Sequence, residues 1–95
     1  MDFETRVNNS IHEMLNIGYK PRAFMTMRIT DGTINAVKKL INSNEIPSGF
    51  TVLWEKGRLD LSMEKIIQEP EWENLFTDAD RSKAKKRLVD YGYKK

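Results

Sequence analysis

The sequence predicts an all-α fold, a single compact domain over residues 1–95 built from five to seven short helices. Apolar residues recur at the three- and four-residue spacing of a helix face through most of the chain. Residues that favour helix starts, and glycines or prolines that favour helix ends, separate these stretches. Only the run from Phe50 to Trp54 has the composition of a strand, so a short hairpin there is the main structural alternative.

The first predicted helix follows Asp2, whose side chain is suited to capping a helix start. Gly18 stands where a left-handed residue ends a helix, and Tyr19 is then placed to fold back as its hydrophobic partner. The apolar face of this helix consists of Phe3, Val7, Ile11, Met14 and Leu15.

Two more helices are predicted in the first half of the chain. Pro21 suits the first turn of a short second helix, which the segment 30–33 ends. Thr33 is expected to cap the third helix, and the polar residues 42–44 followed by Pro47 end it. The second helix carries Phe24, Met25 and Ile29, and the third carries Ile34, Val37, Leu40 and Ile41.

The second half predicts short elements joined by tight connections. Ser48 opens an element that contains Phe50, Leu53 and Trp54, and Gly57 closes it. Leu59 and Leu61 then alternate with Arg58 and Asp60, so that the connector turns its leucines inward.

Ser62 is predicted to cap the next helix, with Leu61 and Ile66 positioned to touch across its first turn. That helix contains Met63, Ile66 and Ile67 and stops before Pro70. A single turn with Trp72, Leu75 and Phe76 follows. Thr77 and Asp80 resemble a capping box for the last helix, which buries Ala84, Leu88 and Tyr91 and ends at Gly92.

The run from Ser48 to Tyr93 resembles a signature of small, largely uncharacterised bacterial and phage-associated helical proteins. The signature couples Gly-Arg-Leu-Asp-Leu-Ser at 57–62 with Glu64, Pro-x-Trp at 70–72, Leu-Phe-Thr at 75–77 and Arg-Leu-x-x-Tyr-Gly-Tyr at 87–93. The first half matches more loosely, through the Asn-x-Gly-Tyr-x-Pro turn at 16–21 and the helix after Thr33. The resemblance implies a compact all-α module and implies no activity or functional residues.

Composition excludes several classes of function. The chain has no cysteine, so disulfide scaffolds and thiolate metal sites are ruled out. Its single histidine, His12, cannot build a histidine metal site unless carboxylates supply the other ligands. No apolar run approaches the ~20 residues that span a bilayer, and the first residues lack the form of a signal peptide. We find no nucleophile–base pair and no phosphate-binding glycine loop. The sequence therefore predicts a cytoplasmic, non-catalytic protein without cofactor, metal or membrane partner.

Charge is distributed unevenly along the chain. Residues 55–80 contain three basic and eight acidic side chains, a balance of −5, whereas residues 81–95 contain seven basic and one acidic, a balance of +6. The split marks either two binding surfaces or segments that neutralise each other within the fold. The basic helix offers a candidate partner or polyanion surface at Lys83, Lys85, Lys86 and Arg87. Because these side chains wrap around the helix, a solvated outer face is the competing interpretation.

Three other groups are candidate binding features, each with a structural alternative. Arg58 and Asp60 form a candidate recognition loop, or an ion pair that serves the fold. Trp54 and Trp72 could form a stacking platform, but in so small a domain we expect both in the core. The candidate exposed apolar patch consists of Phe24, Met25 and Met27.

These observations favour a protein-interaction module of bacterial or phage origin, acting as a small inhibitor or adaptor of a host factor. The alternative is a nucleic-acid-binding protein that uses the basic helix 81–95, with weak and sequence-independent affinity.

Overall fold

Six α-helices and two 3₁₀ turns form the chain in the computed structural model, which describes residues 1–93. The helices are α1 (Phe3–Asn16), α2 (Arg22–Asp31), α3 (Thr33–Asn42), α4 (Ser48–Glu55), α5 (Met63–Ile66) and α6 (Asp78–Asp90), with 3₁₀ turns at Leu59–Leu61 and Pro70–Trp72. This confirms the all-α prediction and the expected number of helices. The hairpin alternative is wrong, because the run from Phe50 to Trp54 lies inside α4 and residues 1–93 contain no strand.

The helices pack into one globule with extents of 32 × 30 × 26 Å around a single hydrophobic core. α2 packs against α3, α5 packs against α6, and α3 also contacts α6. α1 lies across the 3₁₀ turn at Leu59–Leu61, which joins the two halves of the chain. The core therefore draws on every helix, and no part of residues 1–93 forms a separate unit.

The ends of α1 follow the sequence prediction. The Asp2 Oδ1 atom accepts a hydrogen bond from the Thr5 amide at 2.8 Å. Gly18 has φ +85°, a left-handed conformation that glycine adopts without steric cost, and the Tyr19 amide donates to the Met14 carbonyl at 2.8 Å. One face of α1 is buried as expected, with the exception of Leu15, which is exposed because it lies at the edge of the apolar stripe.

The start of α3 differs from the prediction. Gly32, with φ +85°, occupies the position before the helix, and Thr33 is the first helical residue. The Thr33 hydroxyl instead donates to Glu4 Oε1 at 2.7 Å and accepts from Arg28 Nε at 2.9 Å. A tertiary polar network therefore uses the hydroxyl that the local pattern assigned to a helix cap. The buried face of α3 also differs from the expected one, because Ile34 is exposed and Ala36 is buried.

The caps of α5 and α6 are confirmed. The Ser62 hydroxyl accepts from the Lys65 amide at 3.2 Å, and both Leu61 and Ile66 are buried. At α6, the Thr77 hydroxyl accepts from the Asp80 amide at 3.0 Å while the Asp80 carboxylate accepts from the Thr77 amide at 3.2 Å. These local contacts fix the directions in which α5 and α6 leave their preceding turns.

Candidate functional site

A buried ion pair between Glu64 of α5 and Arg87 of α6 lies at the centre of the second half. Arg87 Nη1 donates to Glu64 Oε2 at 2.7 Å, and the two side chains are 5% and 3% exposed. The same guanidinium donates to three carbonyl oxygens at the end of α3, those of Leu40, Ile41 and Ser43, at 3.2–3.3 Å. Arg87 therefore closes the C-terminal end of α3 and links three helices.

This position corrects the assignment of Arg87 to a polyanion surface. The side chain turns inward because Arg87 borders the buried stripe of Ala84 and Leu88. There its guanidinium donates hydrogen bonds to the Glu64 carboxylate and to carbonyl oxygens at the end of α3. Burial raises the pKa of Glu64, and the hydrogen bond from Arg87 opposes that effect. The sequence signal was the position of Glu64 within an apolar stretch, directly after Met63 and two residues before Ile66.

The remaining basic surface of α6 consists of three lysines. Lys83, Lys85 and Lys86 are exposed, as the sequence predicted. Lys86 Nζ contacts Asp90 Oδ2 at 2.9 Å, one helical turn away, so its charge is locally balanced. Lys94 and Lys95, the last part of the proposed basic helix 81–95, lie outside the described residues. Residues 83–86 therefore present separated charges around the helix instead of one stripe.

The candidate recognition loop forms an ion pair with itself. Arg58 Nε lies 3.0 Å from Asp60 Oδ1, and Arg58 Nη2 lies 3.2 Å from Asp60 Oδ2. Leu59 and Leu61 anchor the turn in the core, as predicted, and leave the charged pair facing solvent. The pair uses two of the five N–H donors of Arg58 and one position on each carboxylate oxygen of Asp60, so part of the hydrogen-bonding capacity of the loop is taken up within the loop.

The predicted apolar patch on α2 does not form as expected. Phe24 is buried in the core, and Met25 and Met27 are half-buried against it. Because α2 is helical and packs on α3, these side chains point toward the protein. Ile29 lies five residues after Phe24, on the opposite side of the helix, and is 87% exposed.

Trp54 is the main exposed aromatic residue of the surface. It is 47% exposed, whereas Trp72 is 6% exposed, so the prediction of a core position is confirmed for Trp72 and wrong for Trp54. α4 buries Phe50 and Leu53, and the residue after Leu53 is turned by about 100° away from that face.

The Trp54 ring is held in place by an aromatic contact. It meets Tyr91 edge to face, with ring centroids 5.3 Å apart and planes at 87°. Tyr91 in turn packs edge to face on Phe50, at 5.1 Å and 90°. We call Trp54 and Tyr91 the aromatic pair. It places a large apolar side chain at the surface on a support that reaches into the core.

A cavity of about 90 Å³ opens between α1, α2, α3, α4 and α5. Its walls are mainly apolar, with Met14, Phe24, Phe50, Leu53 and Met63 among the lining residues. Ser62 and Glu64 also line it. Tyr19 stands beside Gly49, and a Cβ atom at Gly49 would lie 2.5 Å from the Tyr19 hydroxyl oxygen. A side chain at position 49 would therefore displace the hydroxyl end of Tyr19.

Among residues 1–93 no group of three or more His, Asp or Glu side chains is placed to hold a metal ion, and His12 is exposed on α1. No helix in the described part of the chain is long and apolar enough to cross a membrane. No family model, curated protein or solved structure matches this chain.

Proposed function

We propose that this chain is a non-catalytic protein-interaction module of bacterial or phage origin that binds its protein partner through the aromatic pair. The observation that carries the proposal is the exposure of Trp54, a residue type that dominates the binding energy of protein interfaces. The resemblance of residues 48–93 to bacterial and phage-associated proteins supports the proposed origin.

The support beneath Trp54 favours binding energetically. Its ring packs on Tyr91, and Tyr91 packs on Phe50 in the core. Such a ring loses little conformational freedom on association, so more of the burial energy is retained as affinity. The surrounding surface of α4 carries the exposed charges of Glu55 and Lys56, which suit the polar rim of an interface.

The expected role is that of a small inhibitor or adaptor that occupies a host factor in the cytoplasm. The chain has 95 residues and no cysteine, which fits a small domain acting in a reducing compartment. A partner with an apolar pocket of tryptophan size and a mixed-charge rim would complement this surface.

The test compares two variants that each remove exposed apolar surface. Trp54→Ala changes the proposed anchor, and Ile29→Ala is the matched control on α2. The wild-type chain is used to capture a partner from the source cells, and the purified partner is then titrated with all three proteins by calorimetry. We expect Trp54→Ala to weaken binding at least about 30-fold, the effect of a hot-spot residue, and Ile29→Ala to change it less than about threefold. Equal affinity of Trp54→Ala and the wild type would disprove the proposal.

Nucleic-acid binding is the second candidate, and the exposure of Lys83 and Lys85 favours it. Among residues 1–93, neither lysine takes part in an ion pair. We expect binding to be weak, indifferent to sequence and lost at moderate salt, because only some of the charges around α6 can reach one duplex.

Heparin and DNA retention across a salt series distinguishes the two candidates. Changing Lys83, Lys86 and Lys94 to Glu is expected to leave the fold intact and to abolish retention. Tight, sequence-selective binding that survives physiological salt would rank nucleic acid above protein as the partner. Loss of the protein partner in the same variant would place the interface on α6 instead of on the aromatic pair.

A further inference from the structure

We propose that the cavity between α1, α2, α3, α4 and α5 is a binding site for a compact neutral alcohol or amide of about five or six non-hydrogen atoms. This site is separate from the aromatic pair. Trp54 and Tyr91 are not among the lining residues of the cavity, although Phe50, on which Tyr91 packs, does line it. The proposal stands on the size of the cavity, the nature of its walls and the one buried carboxylate that lines it.

The size and the walls set the apolar part of the ligand. The cavity measures about 90 Å³. An apolar cavity of about 150 Å³ takes up benzene, so the smaller volume corresponds to a short branched chain or a part of a ring. The side chains of Met14, Phe24, Leu53 and Met63 supply an apolar surface, and methionine adapts its shape to different ligands.

The polar part of the ligand follows from Glu64. A carboxylate offers about four acceptor positions, and Arg87 donates to one of its oxygens through a single nitrogen. Arg87 and the backbone N–H of Glu64 itself occupy two of these positions, so the carboxylate retains capacity to accept from a ligand. A hydroxyl or an amide N–H can provide that hydrogen bond.

The same ion pair selects against a charged ligand. Arg87 already neutralises Glu64, and both side chains are buried. An ammonium group placed beside Glu64 would add an unbalanced positive charge close to the guanidinium in a poorly solvated region, which is costly. A neutral donor avoids this cost, and we therefore assign the site to alcohols or amides and not to amines.

Tyr19 provides a second polar contact at the cavity. Its side chain is half-buried, and burial raises the pKa of its hydroxyl. The hydroxyl stands directly beside Gly49 at the wall of the cavity. From there it can donate to the oxygen atom of an alcohol or amide that has entered.

The experiment uses isobutanol as the probe and methionine methyl groups as reporters. The protein is labelled with ¹³C at its methionine methyls and titrated with isobutanol, with butanone as the analogue without a donor and with isobutylammonium as the charged analogue. Met14 and Met63 line the cavity, whereas Met1 is exposed elsewhere and reports non-specific effects. We expect saturable shifts of Met14 and Met63 with a Kd on the order of 1–10 mM. Butanone is expected to bind at least about fivefold more weakly, and isobutylammonium at least about tenfold.

A blocked variant provides the control for the site. Ala23 and Ser48 are exposed residues that line the cavity from α2 and α4, and Ser48 makes no capping hydrogen bond. Changing both to Leu narrows the entrance, while the pair Ala79→Leu and Ser82→Leu makes the same changes on the exposed face of α6.

We expect the variant with Leu at positions 23 and 48 to bind isobutanol at least about tenfold more weakly than the wild type. The variant with Leu at positions 79 and 82 should bind it unchanged, and circular dichroism confirms that both proteins fold. Absence of saturable shifts, or equal binding by the two double variants, would overturn the site. Equal affinity for isobutanol and butanone would overturn the role of Glu64.

Discussion

At the scale of single residues, Arg87 shows how a charge is accommodated inside a small core. Its guanidinium donates to a carboxylate oxygen of Glu64 and to three carbonyl oxygens at the end of α3. The residue thereby adds a side-chain donor to backbone acceptors where α3 ends, of which the Leu40 carbonyl also accepts from the Ser43 amide. Removing either charge alone leaves the other buried without compensation, which costs more than the pair itself contributes.

We predict that Arg87→Met lowers the free energy of unfolding by about 3–5 kcal/mol, because Glu64 is left unpaired in the core. The double variant Glu64→Leu with Arg87→Met should be more stable than Arg87→Met alone, since no buried charge remains. Urea unfolding of the wild type, both single variants and the double variant measures the coupling. A loss below about 1 kcal/mol for Arg87→Met would contradict the buried ion pair.

The two tryptophans allow a matched prediction about burial. Trp72 packs edge to face on Phe3 at 5.4 Å, and its indole nitrogen donates to Glu69 at 2.8 Å. Trp72→Ala should therefore cost about 3–5 kcal/mol of unfolding free energy. Trp54→Ala removes a half-exposed ring with one aromatic contact to Tyr91 and should cost about 1–2 kcal/mol. Thermal melts of the two variants compare these costs, and equal destabilisation would mean that Trp54 belongs to the core.

At the scale of elements, helix ends were more predictable than helix faces. Asp2, Ser62 and Thr77 cap helices as their local sequence indicates, because a cap depends mainly on neighbouring backbone amides. Thr33 is the exception, since Glu4 and Arg28 engage its hydroxyl. The exposure of Trp54 and the burial of Phe24 and Arg87 depend on which other element covers each helix, and that is a property of the tertiary packing. The periodicity of a single helix leaves residues at the edge of its apolar stripe unassigned.

The cap at Ser62 gives a prediction for a single element. Its hydroxyl accepts from the Lys65 amide at 3.2 Å and donates to the Leu59 carbonyl at 2.7 Å, so it joins the 3₁₀ turn to α5. Ser62→Ala should lower the unfolding free energy by about 1–2 kcal/mol. The control Ser82→Ala, at an exposed position of α6, should change it by less than about 0.5 kcal/mol. Chemical denaturation measures both, and equal stability of the two variants would argue against the cap.

At the scale of the whole molecule, part of the charge asymmetry of the sequence is resolved by pairing. Glu64 with Arg87, and Asp78 with Arg81, join the acidic segment 55–80 to the basic segment that follows it. Glu69 of the acidic segment pairs instead with Arg6 of α1 at 2.8 Å. The two segments therefore neutralise each other in part through the fold, as one of the two interpretations of the sequence expected.

Several carboxylates of the folded molecule are stabilised in their ionised form. Hydrogen bonds from Thr5 lower the pKa of Asp2, and a hydrogen bond from Thr33 lowers that of Glu4. For Asp80, burial acts to raise the pKa, but the hydrogen bonds it accepts outweigh burial and the pKa is lowered. Glu64 is the exception among these carboxylates, because burial raises its pKa. Since the lowered values predominate, folding should favour ionised carboxylates, and acid should destabilise the protein.

Glu69 provides the sharpest test of this pH dependence. Burial acts to raise its pKa, but hydrogen bonds from Arg6 and Trp72 outweigh burial, and the pKa lies below its ordinary value. A carboxylate with a lowered folded pKa stabilises the protein above the unfolded pKa of about 4.3, and this contribution is lost as pH falls through the folded pKa. Glu69→Gln should therefore be less stable than the wild type at pH 7, and the difference should shrink toward pH 3. Urea unfolding between pH 3 and pH 7 measures how the unfolding free energy of each protein depends on pH. The exposed Glu71→Gln variant is the control and is expected to show the same pH dependence as the wild type. A constant difference between Glu69→Gln and the wild type at every pH would show that the Glu69 carboxylate is not favoured by folding.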